Sequence, residues 1–276
     1  LAHPETVVRY YTQKRRDIPD VNATVEKFRT ATSGDFVWQS ILEDESCGVG
    51  LSQEFLKTEP STHSQAYQMT NDYFRKSIAA TREYPGIPLW SVAGFANTAH
   101  ILAKQPEIKL LTIERANDDV DDLQTGIAFF RGAAKQYSKK WGVDLSLWWG
   151  CVYGCIQDMP YLYHKRHLYL SWYSGAEHFR IEGSELFFDR KTNQPNKIVE
   201  CLDQFGNYIK KHNRGTSIVP VAVILPEDHG WITPAYWKTT STAWNYARIP
   251  YRQGQRAMDG FFGLAFPGSN FYMDPF

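Results

Sequence analysis

Ile108-Lys-Leu-Leu-Thr-Ile-Glu114 and His178-Phe-Arg-Ile-Glu182 are two short apolar runs, and each of them ends in a glutamate. Each run lies between segments whose apolar residues have helical spacing, so we interpret both runs as strands in a chain that alternates strand and helix. This alternation predicts right-handed βαβ units around a parallel sheet. The two glutamates then fall at the carboxyl ends of parallel strands, where α/β proteins build active sites.

The same pattern continues on both sides of these runs. We predict six strands, at residues 36–42, 87–92, 108–114, 143–149, 178–182 and 217–225. Helices are predicted at residues 64–84, 96–104, 123–140, 163–174 and 198–209. The sequence thus predicts an α/β fold like a (β/α)8 TIM barrel, either incomplete or with an irregular C-terminal extension, because a closed barrel needs eight strands. The alternative is an open doubly wound parallel sheet.

The chain changes character after Pro226, where many Trp, Tyr, Gly and Pro residues follow. We therefore divide it into a barrel-like catalytic domain at residues 1–230 and an aromatic, Gly/Pro-rich C-terminal extension at residues 231–276. An incomplete barrel exposes sheet edges and apolar surface. This division accordingly predicts a homo-oligomer or an additional chain as a partner.

Composition narrows the classes of function. Thirty Lys and Arg residues balance thirty Asp and Glu residues, and no long basic run occurs, so a nucleic-acid partner is not expected. No apolar run approaches the roughly 20 residues that span a bilayer, so no membrane partner is expected either. The chain begins at Leu1 without an initiator Met or a signal-peptide pattern, which favours a mature or trimmed product. The location stays open, with an extracytoplasmic or secreted one slightly favoured.

Carboxylates follow four of the six predicted strands: Glu43 to Glu45, Glu114, Glu182, and Glu227 with Asp228. If the strands share one barrel, these acids converge on one rim. Two carboxylates that face one pocket are the minimum for acid/base work on a glycosidic bond. No phosphate-binding loop, zinc-protease motif or serine-hydrolase elbow competes with this interpretation.

The stretch Leu170-Ser-Trp-Tyr-Ser-Gly-Ala-Glu-His-Phe-Arg-Ile-Glu182-Gly-Ser resembles the TIM-barrel glycoside hydrolases, particularly β-galactosidase-like enzymes, and the resemblance covers roughly residues 36–231. It implies that Glu182 is the nucleophile. In that family the acid/base is usually the glutamate of an Asn-Glu pair three strands earlier, where this chain has Asn97 but no glutamate. Glu114 then takes the acid/base role, with Glu43 or Glu45 behind it.

The remaining candidates are residues for substrate binding. Aromatic side chains make up 15% of the chain and stack well on sugar rings. Arg180 lies two residues before Glu182, so the two share one face of a strand. The predicted substrate-binding set is Trp90, Trp148, Trp149, Trp231, Arg180, Asn97, His229, Glu43 and Glu45.

We therefore expect a glycoside hydrolase that acts on β-linked oligosaccharide or polysaccharide, with no metal and no cofactor. Two alternatives stay open: a catalytically silent carbohydrate-binding or assembly protein, and a metal-dependent hydrolase or lyase that uses the acidic rim with His229. The choice between retaining and inverting stereochemistry also stays open, because it depends on the distance between the two carboxyl groups.

Overall fold

A computed structural model gives the fold. It describes residues 26–27, 30, 39–40, 58, 60–80, 89–93, 96–116, 122–146, 161–182, 187–189, 191–231, 249 and 252–267. The strands are β1 (Gln39–Ser40), β2 (Leu89–Ala93), β3 (Ile108–Ala116), β4 (Lys140–Ser146) and β5 (His178–Glu182). The helices are α1 (His63–Ala80), α2 (Ala99–Lys104, after a 3-10 turn at Ala96–Thr98), α3 (Asp122–Gln136), α4 (Tyr161–Tyr173), α5 (Lys197–Lys211) and α6 (Gln253–Ala265).

The five strands form one parallel sheet in the order β1-β2-β3-β4-β5. The sheet is open, because no described strand pairs with the outer edge of β1 or of β5. The expected TIM barrel is therefore wrong, since barrel closure requires the first and last strands to pair. The alternative is right that the sheet is open and parallel, but it is not doubly wound, because a doubly wound sheet reverses its strand order and the described strands do not.

The predicted sixth strand is a second correction. Residues 217–225 form neither a helix nor a strand paired with another described strand, and Ile218 and Ile224 are 91% and 94% exposed. A run of apolar, β-branched residues is compatible with a strand, but a strand also needs a neighbouring strand with which to pair. In addition, Pro220 has no backbone N–H to donate to a neighbouring strand. Glu227 and Asp228 consequently do not follow a strand.

The helices pack on one face of the sheet. Alternate sheet residues, Leu111, Ile113, Val143 and Leu145 among them, join the main core together with apolar side chains of the helices. Right-handed crossovers that always step in the same direction put every intervening helix on the same side. The intervening sheet residues, such as Glu114 and Asp144, therefore point to the opposite face.

Helix α5 shows how local sequence sets an element. Asn196 caps it, because the Asn196 side chain accepts hydrogen bonds from the backbone N–H groups of Ile198 and Val199. Ile198, Cys201 and Phe205 then recur at helical spacing and are buried. Lys210 and Lys211 in the last turn complement the helix dipole.

The described part of the C-terminal extension packs against the rest of the chain. Met258 and Phe262 of α6 belong to the main core. The guanidinium of Arg252, just before α6, donates two hydrogen bonds to the carboxylate of Asp228, over 3.0 and 2.5 Å. Helix α6 is thus attached to the sheet domain by both apolar and charged contacts.

Among the described helices, none has both the length and the apolar composition that crossing a membrane requires.

Candidate active site on the polar face of the sheet

Five polar side chains lie on the sheet face opposite the helices, near the carboxyl ends of β3, β4 and β5. We call this set the carboxylate face: Glu114, Asp144, Ser146, Arg180 and Glu182. The strand register places Glu114, Asp144 and Arg180 side by side in one row. Ser146 and Glu182 are paired in the row two residues further along. The sheet therefore brings the two glutamates predicted from the sequence onto one surface.

An ion pair joins Asp144 to Arg180 at the centre of this face. The Asp144 side chain is fully buried and that of Arg180 is 15% exposed. Neither Asp144 oxygen accepts a hydrogen bond of acceptable geometry from the described residues. The ion pair with Arg180 is therefore the main interaction that offsets the cost of burying the Asp144 carboxylate. A buried carboxylate without its counter-charge is costly, which makes Arg180 essential to this arrangement.

Replacing Arg180 tests this electrostatic dependence. We expect Arg180→Met to lower the free energy of unfolding by about 3–5 kcal/mol, because it leaves Asp144 charged and buried without a partner. The double variant Arg180→Met/Asp144→Leu removes both charges and should recover most of that loss. Urea denaturation at pH 7.5 measures both values.

Lys140→Met is the matched control, because the contact of Lys140 with Glu177 is 4.0 Å long and both side chains are well exposed. It should change the free energy of unfolding by less than about 1 kcal/mol. A double variant as unstable as Arg180→Met alone would show that the ion pair is not the source of the effect.

One row towards the amino ends, Thr112, Gly142 and His178 lie beside one another. A Cβ atom on Gly142 would lie 2.4 Å from the backbone oxygen of His178, so only glycine lets β5 approach β4 this closely. Burial lowers the pKa of His178 to about 4, so its imidazole is neutral at physiological pH. The row next to the carboxylate face, towards the amino ends of the strands, is therefore buried and uncharged.

Other predicted residues lie near this face by backbone position. Asn97 is in the 3-10 turn that follows the carboxyl end of β2. Trp90 is in β2 and pairs with Leu110, towards the amino end of the sheet from Glu114. Trp148, Trp149, Glu43 and Glu45 lie outside the described residues, so their placement at the site stays a prediction.

His229 and Trp231 lie in the helix layer. The His229 ring stacks on Phe129 of α3 at a centroid distance of 5.7 Å. Burial, with a further contribution from nearby His100, lowers the pKa of His229 to about 3. The Trp231 indole N–H donates to His63 Nδ1 over 3.1 Å, at the start of α1. Both side chains are almost completely buried, and their substrate-binding role is untested.

Asp144 is the residue that sequence reasoning missed. The fourth strand was predicted at residues 143–149, with Trp148 and Trp149 at its carboxyl end. In the structure β4 begins at Lys140 and ends at Ser146, so Asp144 lies near its carboxyl end. The available signal was a lone aspartate within the run Trp141-Gly-Val-Asp-Leu-Ser146, which is otherwise apolar or small. A charged residue inside a buried strand requires a partner, and Arg180 on the next strand supplies it.

Within the part of the chain that the structure describes, no group of three or more His, Cys, Asp or Glu side chains is arranged to hold a metal ion. Cys201 is a buried free thiol in α5.

Comparisons of the chain with protein-family models, with curated proteins and with solved structures gave no match.

Proposed function

We propose that this protein is a glycoside hydrolase that acts on β-linked oligosaccharide or polysaccharide through Glu114 and Glu182. The observation that carries the proposal is the placement of these two half-buried glutamates on one face, at the carboxyl edge of a parallel sheet, with a buried Asp144–Arg180 pair between them. Carboxyl edges are where open parallel sheets bind ligands. Two carboxylates on one surface are the equipment that glycosidic cleavage uses.

The separation of the two glutamates suggests the stereochemistry. They lie two strands apart and two residues out of register, so strand spacings of about 4.8 Å and rises of about 3.3 Å put their backbones roughly 12 Å apart. Inverting enzymes hold their carboxyl groups about 6.5–9.5 Å apart to leave room for a water molecule, whereas retaining enzymes need about 5–5.5 Å. Because the distance of roughly 12 Å joins backbones and exceeds the spacing of both classes, the two side chains must lean towards each other, and they reach the wider spacing of inverting enzymes first.

The proposed reaction is a single displacement. Glu182 takes a proton from water, the water oxygen bonds to the anomeric carbon, and the carbon–oxygen bond to the leaving group breaks. Glu114 donates its proton to the leaving oxygen. Asp144 neighbours Glu114 in the register, so the proposed acid lies beside the Asp144–Arg180 ion pair. Arg180, which lies two residues before Glu182, is a positioning residue.

Turnover and product stereochemistry test the proposal. Aryl β-glycosides and β-linked oligosaccharides are incubated with the wild-type protein, and NMR follows the anomer that is released first. We expect hydrolysis with release of the α-anomer. First release of the β-anomer would refute inversion and leave the hydrolase proposal standing.

Two other outcomes would replace the proposal itself. Glycan binding without turnover would identify a silent carbohydrate-binding protein. Turnover that a chelator abolishes and added metal restores would identify a metal-dependent enzyme.

A further inference from the structure

A second polar site lies at the other end of the sheet. A cleft of about 580 Å³ opens between α1 and the turn that joins α2 to β3. Its polar lining is Tyr67, Asn71, Arg75, Lys104, Gln105 and Glu107. Because Glu107 directly precedes β3, the cleft is at the amino-terminal edge of the sheet, away from Glu114 and Glu182. Its volume lies within the range of about 300–1,000 Å³ that is usual for small-molecule sites.

The inner wall of the cleft is a pair of buried amides. Gln105 and Asn71 are only 3% and 9% exposed. Gln105 Nε2 donates to Asn71 Oδ1 and to the backbone oxygen of Ile101, each over 3.0 Å. Both N–H groups of the Gln105 amide are therefore used, and the oxygen of Asn71 is fixed as the acceptor. Asn71 Nδ2 has no partner among the described residues and is not fully enclosed, so it is available to donate to a ligand acceptor in the cleft.

Two cations stand beside these amides. Arg75 lies one helical turn after Asn71, and within the described structure its guanidinium makes no hydrogen bond or ion pair. Lys104 Nζ donates to the Tyr67 hydroxyl over 2.5 Å. Burial acts to lower the pKa of Lys104, but this hydrogen bond and nearby Tyr67, Tyr137 and Glu227 outweigh it and raise the pKa, so the ammonium stays charged.

The surroundings add positive charge. Lys109 and Lys139 donate to the backbone oxygens of Pro106 and Gln105 at the rim, over 2.8 and 3.1 Å. The four cations are Arg75, Lys104, Lys109 and Lys139. Two carboxylates oppose them: Glu107, which lines the cleft, and Glu227, which lies near enough to act on Lys104. The excess of cations around a concave polar surface attracts anions and disfavours cations.

We propose that this cleft binds a small polyhydroxylated acid, namely a sugar acid or a sugar phosphate. Its anionic group lies between Arg75 and Lys104, and a hydroxyl oxygen accepts from Asn71 Nδ2. A guanidinium and an ammonium suit carboxylate and phosphate equally, so the anionic group is the shared chemistry of both ligands. The inference does not rest on the proposed hydrolase function, because no residue of the carboxylate face lines the cleft.

Isothermal titration calorimetry of the full chain tests the site with four probes: glucuronate, glucose 6-phosphate, glucose and inorganic phosphate. We expect one or both of the acids to bind, with affinity that falls as salt increases. Glucose should not bind, and phosphate alone should bind at least about tenfold more weakly than the better acid, because it lacks the hydroxyl contacts.

Variants locate the binding. Arg75→Gln should weaken the acid at least about tenfold, and Asn71→Asp should weaken it too, because it replaces a donor by a negatively charged acceptor. Arg256→Gln on α6 is the matched control, since Arg256 is also an exposed helical arginine without a side-chain partner in the described structure. It should leave the affinity unchanged. Circular dichroism melting confirms that each variant is folded.

The remaining outcomes overturn the proposal in distinct ways. If neither acid binds the wild-type protein, there is no anion site. If glucose binds as tightly as the acids, the recognition is not anionic. If phosphate binds as tightly as glucose 6-phosphate, the hydroxyl groups of the sugar do not contribute to recognition. Acid binding that survives Arg75→Gln places the ligand elsewhere on the molecule.

Discussion

Glu182→Gln is expected to lower kcat on a β-linked oligosaccharide by about 10²–10⁴-fold, the usual contribution of a general base. Glutamine has nearly the same shape as glutamate but cannot take a proton from water at neutral pH. Glu182 is half-buried at the end of β5, so the substitution should leave the fold intact. Steady-state kinetics on the same substrate series as the wild type measures the loss.

Glu114→Gln separates the roles of the two carboxylates. The acid is needed only when the leaving group is poor, so this variant should lose activity on oligosaccharides and keep much of it on a dinitrophenyl glycoside, whose leaving group needs no proton. Glu182→Gln should be impaired on both substrates, because water must be activated in either case. The comparison identifies the acid and the base in one experiment.

Glu177→Gln is the matched control for both variants. Glu177 directly precedes β5, so it lies at the opposite end of the strand from Glu182, and it is exposed. Its substitution should leave kcat unchanged. Full turnover by Glu182→Gln would remove Glu182 from the mechanism, and an equal loss in Glu177→Gln would attribute the effect to general charge or folding.

Local sequence patterns predicted most of the helices and strands. The strand at His178–Glu182 was predicted with its correct limits, because an apolar run bounded by Gly175 and Gly183 has clear ends. Gly175 has a positive φ of 104°, which favours glycine where α4 ends and the turn into β5 begins. The spacing of apolar residues therefore predicts the limits of an element correctly where glycines bound it on both sides.

The architecture was harder to predict, because pairing is not local. Residues 217–225 have the composition of a strand, yet five of their aliphatic side chains are exposed in the structure: Ile218, Val219, Val221, Val223 and Ile224. Composition indicates that a segment is able to pair, but closure of a sheet depends on partners far away in the sequence. The same reason explains why Asp144 was missed, since its importance comes from Arg180 on the adjacent strand and not from its own neighbours in sequence.

The site itself was partly predictable. Glu114 and Glu182 followed from strand ends, and the register of β3, β4 and β5 puts them on one face. The basic cleft was not predicted at all, because Asn71 and Arg75 come from one helix and Lys104 and Gln105 from another. Only packing of α1 beside α2 brings these amides and cations together.

Acidification is expected to unfold the protein steeply, because five histidines are held in low-dielectric surroundings. Burial lowers the pKa of each from its usual 6.5: to about 4 for His100, His167 and His178, and to about 3 for His164 and His229. Secondary contributions come from nearby positive groups, such as Lys104 for His100 and Arg166 for His167. All five are neutral in the folded protein at pH 7.

The direction of the effect follows from proton linkage. In the unfolded chain these histidines bind protons below about pH 6.5, whereas in the folded protein they do so only near pH 3–4. Stability is therefore fully present above the unfolded pKa and is lost as the pH falls. Each histidine contributes a slope of up to about 1.4 kcal/mol per pH unit, or about 2 kcal/mol between pH 6.5 and pH 5. The five together would remove up to about 10 kcal/mol, which is comparable with the whole stability of an ordinary domain.

Carboxylates act in a different window. The carboxyl of Asp228 is desolvated, yet its hydrogen bonds and charge interaction with Arg252 lower its pKa, so its contribution is lost only at more acid pH than the histidine contribution. Urea unfolding between pH 8 and pH 5 consequently isolates the histidines. We expect a nearly constant free energy of unfolding above about pH 7 and a steep fall below pH 6.5.

His167→Leu tests the assignment directly. Neither ring nitrogen of His167 has a hydrogen-bond partner among the described residues, so leucine removes the titration without breaking such a bond. The slope between pH 6.5 and pH 5 should become shallower by about 1.4 kcal/mol per pH unit. His212→Leu is the comparison, because His212 is exposed at the end of α5, where its ring stacks on Tyr208. A change of slope as large as that of His167→Leu would show that the effect does not depend on burial. A stability that stays constant down to pH 5 in the wild type would show that these histidines reach solvent and titrate normally.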